Sequence, residues 1–176
     1  MSPLNKRPLD CVYFIYFTTH IIFTLFCDSL VIFPLKWIPS FLVNFNQFQV
    51  KLIKDPFMNI FEHQLDPLTS RHYELIWFRT FVTMEFLLQL PFFFYASYQL
   101  YFDNKKSLKI PGIIYCSHVA TTVLPLLATF IFGLPEYLFQ DRLILFMVYS
   151  PYLFVPLVLL ADLVLLDWSP AKAKTS

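Results

Sequence analysis

Residues 81–94 read Phe-Val-Thr-Met-Glu-Phe-Leu-Leu-Gln-Leu-Pro-Phe-Phe-Phe. Large apolar side chains surround one carboxylate, Glu85, one amide, Gln89, and one proline, Pro91. The run sits in one of four long apolar stretches, at about 11–33, 75–101, 110–132 and 143–166. About 20 such residues cross a ~30 Å hydrocarbon core. Only 14% of the chain is charged, against about a quarter in soluble domains, too little to clothe a water-facing surface. The expected fold is all-α, an integral membrane four-helix bundle, because a helix satisfies its backbone polar groups within one segment. A charge at the bilayer centre costs a few kcal/mol. Glu85 is therefore expected to be neutral, paired or facing a wet cavity.

The totals narrow the chemistry further. Net charge is +1, which gives no field for nucleic acid. Two glycines leave no phosphate-cradling loop or dinucleotide fingerprint. Cys11, Cys27 and Cys116 lie in apolar runs, without metal spacing or a disulfide framework, and read as packing residues. No metal, cofactor, internal repeat or N-linked acceptor triplet is expected.

In chain order, residues 1–10 form a short polar terminus with Lys6 and Arg7. The first apolar stretch is too long for a signal peptide and has no small-residue cleavage site. It also carries His20, Thr24 and Asp28, spaced to share one helix stripe. Residues 34–74 are a mixed loop with Lys36, Lys51, Lys54, Asp55, Glu62, Asp66 and Arg71. Phe41, Phe45, Phe48 and Leu52 predict a short amphipathic helix at the interface. Pro91 should kink the second span. Lys105, Lys106 and Lys109 make a basic turn, and Pro151 and Pro156 interrupt the fourth span.

Lys6, Arg7, the basic turn, Lys172 and Lys174 fall on one side of a four-span bundle. The positive-inside bias puts both termini in the cytosol, with residues 34–74 lumenal and 167–176 a cytosolic tail. Lys172 and Lys174 stand fifth and third from the C-terminus. That is the dilysine retrieval pattern of endoplasmic-reticulum membrane proteins, although a solubilising basic tail reads the same way.

Depth can be counted. Asp28 lies six residues before Pro34, and Glu85 six residues after Arg79, each roughly 9 Å inside at 1.5 Å per residue. Tyr152 and Thr122 fall near the same level. Two buried carboxylates in one layer do not both ionise readily, so the pair is expected to share one proton and carry one negative charge. Phe78, Phe81, Val82, Tyr149 and Tyr152 would supply apolar walls and cation–π faces, and Gln89, one turn on, can orient Glu85. The layer reads as a receptor for one cation with a hydrophobic body. Blander readings stand beside it. Thr24, Gln89 and Thr122 suit interhelical hydrogen bonds. His20 and His118 suit packing and hydrogen bonding, and Met58 suits core or lipid. Asp55, before Pro56, suits a turn or cap, and Asp162 can snorkel. Asp28 and Glu85 differ, because intramembrane acids are functional by default.

Five pieces, taken together and in order across all four spans, carry a resemblance. They are Tyr16-Phe17 with His20 and residues 24–28; Lys54-Asp55-Pro56; residues 77–81 through Glu85 and 89–93; residues 113–118 with Thr121-Thr122; and residues 149–153. The chain resembles the intracellular sterol-related receptors of the EXPERA, or emopamil-binding, superfamily. The resemblance implies an EXPERA-type fold with an occluded pocket reached from the bilayer. It implies that Asp28 meets a basic amine and that a protonated Glu85 hydrogen-bonds Asp28. Met58, Phe78, Phe81, Val82, Thr122, Tyr149 and Tyr152 would line the pocket with Gln89, and Asp55 would hold the first loop over it. It further implies sterol and oxysterol binding, homodimers, a role in cholesterol homeostasis and trafficking, and a cholesterol-transport membrane protein as partner. The implied location is the endoplasmic reticulum, with nuclear-envelope and late endosomal or lysosomal membranes besides. The first loop departs from the pattern by an extra segment around 59–74, and the N-terminus differs.

The leading expectation is a receptor without enzymatic activity. The alternative is a sterol double-bond isomerase, with a neutral acid protonating an alkene; Phe81 stands where a histidine four residues before Glu85 would support it. A proton carrier is disfavoured because no polar path continues through the other half.

Overall fold

The computed structural model describes residues 3–59, 61 and 70–166. Four helices in it are long and apolar enough to cross a membrane: Pro8–Ile32 (α1), Leu75–Tyr101, Lys105–Phe132 and Phe139–Leu165. Between the first two lies α2, Ser40–Ile53, so the other three spans are α3, α4 and α5. No strand occurs among the described residues. The chain is an all-α, multi-pass membrane protein. Residues 62–69, which hold Glu62, Asp66 and much of the extra loop segment, lie outside the described residues, as does the tail with Lys172 and Lys174.

α1 opens with Pro8 at the start of its first turn, where the missing N–H would be unpaired anyway. Two spans contain a widened π-helical turn, Thr24–Asp28 in α1 and Glu85–Gln89 in α3. The second has a clear cause. Pro91 cannot donate to the carbonyl four residues back, and its ring crowds the preceding turn. The expected kink takes the form of a π turn just before it. The first has no proline or glycine to mark it.

α1 packs on the C-terminal half of α3, and α4 packs along α5. Gly112 permits the second crossing: a Cβ there would stand 2.4 Å from Leu163 Cδ1, the use small residues find at membrane helix contacts. Buried side chains form two separate clusters. One, around Tyr13, Phe17, Phe93, Leu108, Cys116 and Leu163, fills the end where α3 turns into α4. The other, around Val31, Phe57, Phe78, Phe130, Leu134 and Leu145, fills the opposite end. Between them the bundle is open. Residues such as Ile15, Leu87, Phe94, Ile114 and Phe154 point outward, as lipid-facing side chains do.

α2 carries its apolar residues on the outside. Phe41 (64% exposed), Phe48 (62%) and Leu52 (67%) face away from the protein. The inward side holds Asn46, buried, with Nδ2 donating to the Met58 carbonyl at 2.7 Å. The predicted amphipathic helix is present, with its polar side against the bundle. A different device closes the other end. Arg7 meets Asp10 at 2.9 Å and Asp103 at 3.3 Å, while Lys105 meets Asp10 at 2.9 Å and also Asp162. Asp162, expected to snorkel, is instead one corner of this charge cluster.

Candidate ligand-binding site

The gap between the two cores is a cavity of about 200 Å³, room for a small ligand but below the ~300–1,000 Å³ of sites for drug-sized molecules. Ten residues singled out from the sequence line it: Asp28, Met58, Phe78, Phe81, Val82, Glu85, Gln89, Thr122, Tyr149 and Tyr152. Each span contributes. α1 supplies Asp28 from its π turn, and α3 supplies Phe78, Phe81 and Val82, then Glu85 and Gln89 from its own. These two π turns touch, which brings the acids into one space. α4 adds Thr122 and α5 adds Tyr149 and Tyr152. The loop after α2 closes over this space with Met58.

Asp55 stands behind the wall. It is 3% exposed. Its Oδ1 accepts the backbone N–H groups of Phe57 at 2.8 Å and Met58 at 3.1 Å, a turn-forming use of an Asp before proline. Its Oδ2 accepts from the Tyr149 hydroxyl. Burial pushes the Asp55 carboxyl above the usual carboxylate range, although these three donors pull the other way. One side chain thus ties the loop to a cavity tyrosine. Lys54, in the left-handed region at φ 54, ends α2 and reaches Asp141 at the start of α5, 2.7 Å away.

Glu85 has partners that the sequence did not indicate. Its Oε1 lies 3.0 Å from His20 Nε2, and Thr24 Oγ1 donates to the same oxygen at 3.2 Å. Asp28 interacts electrostatically with Glu85, yet no hydrogen bond joins the two among the described residues. In place of the implied direct bond, His20 and Thr24 hold Glu85, and Thr24 also contacts Asp28. Gln49 and Ile53 of α2 and Tyr115 of α4 also line the cavity, and Tyr16 and Tyr115 meet hydroxyl to hydroxyl at 3.2 Å. Neither Asp28 nor Glu85 pairs with a lysine or arginine among the described residues. No group of three His, Cys, Asp or Glu there could hold a metal ion. Two carboxylates, an amide and phenols inside apolar walls can hold a compact polar head and bury its hydrocarbon body.

Fold and cavity together define a class: a four-span helical membrane protein with an acid-lined internal cavity. A family model described as EXPERA (EXPanded EBP superfamily) matches residues 41–163. The chain belongs to the EXPERA family. It is 34% identical over 170 residues to the Sigma intracellular receptor 2 of Homo sapiens, covering 90% of this chain and 89% of the relative. It is also 34% identical over 161 residues to that of Xenopus tropicalis, covering 88% and 86%.

Proposed function

We propose that this protein is an endoplasmic-reticulum receptor that binds sterols, oxysterols and lipophilic amines in its intramembrane cavity and serves cholesterol homeostasis and trafficking. One observation carries the reading: Asp28 and Glu85 share an aromatic-walled cavity without a lysine or arginine beside them. An acid kept from pairing in an apolar site stabilises a cation that arrives with its own hydrophobic body. Asp28 meets the amine, Glu85 sets its charge, and Gln89, Thr122 and the aromatic walls fix the ligand's pose. Asp55 holds the Met58 loop through Tyr149. No cofactor is needed. The positive-inside bias and the Lys172/Lys174 spacing support cytosolic termini and retrieval to the endoplasmic reticulum. Homodimers and a cholesterol-transport partner follow from the family resemblance.

The test is saturation binding of a tritiated N-alkyl-4-phenylpiperidine to membranes that carry the protein. Asp28→Asn is expected to abolish binding, and undiminished affinity would sink the proposal. Glu85→Gln should keep part of it, because the amide resembles a protonated acid.

One geometric fact favours a second reading. His20 reaches Glu85 from α1, so the cavity holds an acid–base pair although Phe81 precedes Glu85 on α3. A sterol isomerase needs such a pair. Rescue of an isomerase-deficient yeast strain by this chain would establish that activity, and failure to rescue leaves the receptor.

A further inference from the structure

His20 is 8% exposed and caged by rings. Its centroid lies 5.0 Å from Tyr16, 4.6 Å from Phe93 and 4.7 Å from Tyr152. Nε2 meets Glu85 Oε1, whereas Nδ1 is buried without a hydrogen-bond partner. Those two facts select a tautomer. A proton on Nδ1 would bury a donor with nothing to accept it, and orphaned buried N–H groups are rarer than orphaned acceptors. A doubly protonated ring would bury the same orphan. Nε2 therefore carries the proton and donates to Glu85. Thr24 donates to the same oxygen. With two donors on Oε1, a proton shared by the acid pair is left with Glu85 Oε2 or with Asp28.

We propose that His20 is a positioning residue of the ligand site: with Thr24 it reserves Glu85 Oε1 as an acceptor, so that the acid pair holds its proton elsewhere and shows one negative charge to a cationic ligand. The proposal rests on the receptor reading. Cage and tautomer work together, since Tyr16, Phe93 and Tyr152 keep the ring from turning Nδ1 toward the acid. The other titratable groups around this point are Asp28, Tyr16 and Cys27 from α1, Tyr115 from α4, and Tyr149 and Tyr152 from α5. Asp55 stands behind Tyr149. Phenols and thiols ordinarily titrate above pH 8. The phenols and thiols therefore stay silent between pH 5 and 8, and Asp55 is common to every variant compared.

The experiment measures affinity for the tritiated N-alkyl-4-phenylpiperidine from pH 5 to 8. His20→Phe keeps the ring and removes the donor. It should weaken binding about tenfold, the worth of one charge-assisted hydrogen bond. The anionic pair is then less well held, so the acid side of the binding profile moves to higher pH. His20→Gln, which retains an N–H at similar reach, should recover most of the affinity and the profile. Thr24→Val removes the second donor to that oxygen, together with the Thr24 contact to Asp28, without touching the ring cage; it should weaken binding about threefold with a shift in the same direction. Unchanged affinity and profile in His20→Phe would overturn the role while leaving the receptor standing, provided Asp28→Asn still abolishes binding. Affinity lost without a pH shift, and not recovered by His20→Gln, would reduce His20 to packing. Should His20→Phe fail to fold, an unshifted Thr24→Val profile overturns the proposal alone. Binding that survives Asp28→Asn removes the receptor reading itself.

Discussion

Where α3 turns into α4, Asp10 and Asp162 are met by Arg7 and Lys105, each acid within reach of a cation. In the cavity, Asp28 and Glu85 are met by a histidine, a threonine and aromatic rings. Both sites place two carboxylates within an apolar bundle. At one end the protein supplies the countercharges and the acids become part of the architecture. In the middle, no lysine or arginine among the described residues meets the acids, and Glu85 is held by a histidine and a threonine instead.

That contrast can be broken by experiment. The largest effect is expected at the closed end. Lys105→Met leaves Asp10 and Asp162 without their shared cation and should cost about 3 kcal/mol of stability, the scale for breaking a buried ion pair. Melting in detergent should fall by several degrees with amine affinity intact below the transition; an unchanged Tm would mean that the cluster is ornamental. Asp28→Asn should do the reverse. Binding is expected to weaken at least 100-fold, about 2.7 kcal/mol, while Tm holds or rises because an uncompensated charge has gone. A Tm loss matching that of Lys105→Met would erase the distinction.

Asp55 lies between these cases, a buried acid with three donors and no cation. Its carboxyl sits above the usual range in the folded protein. The fold therefore favours the protonated form. That stabilisation is complete below the ordinary carboxylate range and fades as pH rises through the shifted one. Exchange protection of the Phe57 and Met58 amides, corrected for intrinsic rates, should accordingly be greater at pH 5 than at pH 8. Tyr149→Phe should lower it by about 1–2 kcal/mol at neutral pH, by removing one donor to a buried acceptor. The smallest effect is expected at Gly112→Ala. The added Cβ meets only the flexible tip of Leu163, so about 1 kcal/mol of stability should be lost with affinity unchanged.

Much of this bundle is legible from residue types. Apolar length gives four spans because lipid demands it, and counting residues from the span ends brings Asp28 and Glu85 to one depth. Counting fails on the partner of Glu85. It assumes 1.5 Å and 100° per residue, and both spans contain a π turn at the acids themselves. Only one of these turns is announced, by Pro91. His20 reads as a packing residue because no carboxylate stands at ligand spacing on its own span, and its partner stands on another. Gln49 was hidden for a different reason. The periodicity of Phe41, Phe45, Phe48 and Leu52 finds the apolar stripe of α2 correctly, but in lipid that stripe faces out and its polar reverse side faces the protein. The helices also outrun the apolar segments. α4 starts at Lys105, since backbone bonding continues past the point where side chains become polar.

The π turns have a consequence for chain length. Each holds one residue more than a straight α-helix needs to climb the same height. Removing one residue from 24–28, so that ordinary winding returns, would turn the two parts of α1 about 100° relative to each other. Asp28 would swing off the cavity although no chemical group in it had been replaced. The address of each acid is thus written as an insertion, and the lining of the cavity depends on where the chain is one residue long as well as on which residues it contains.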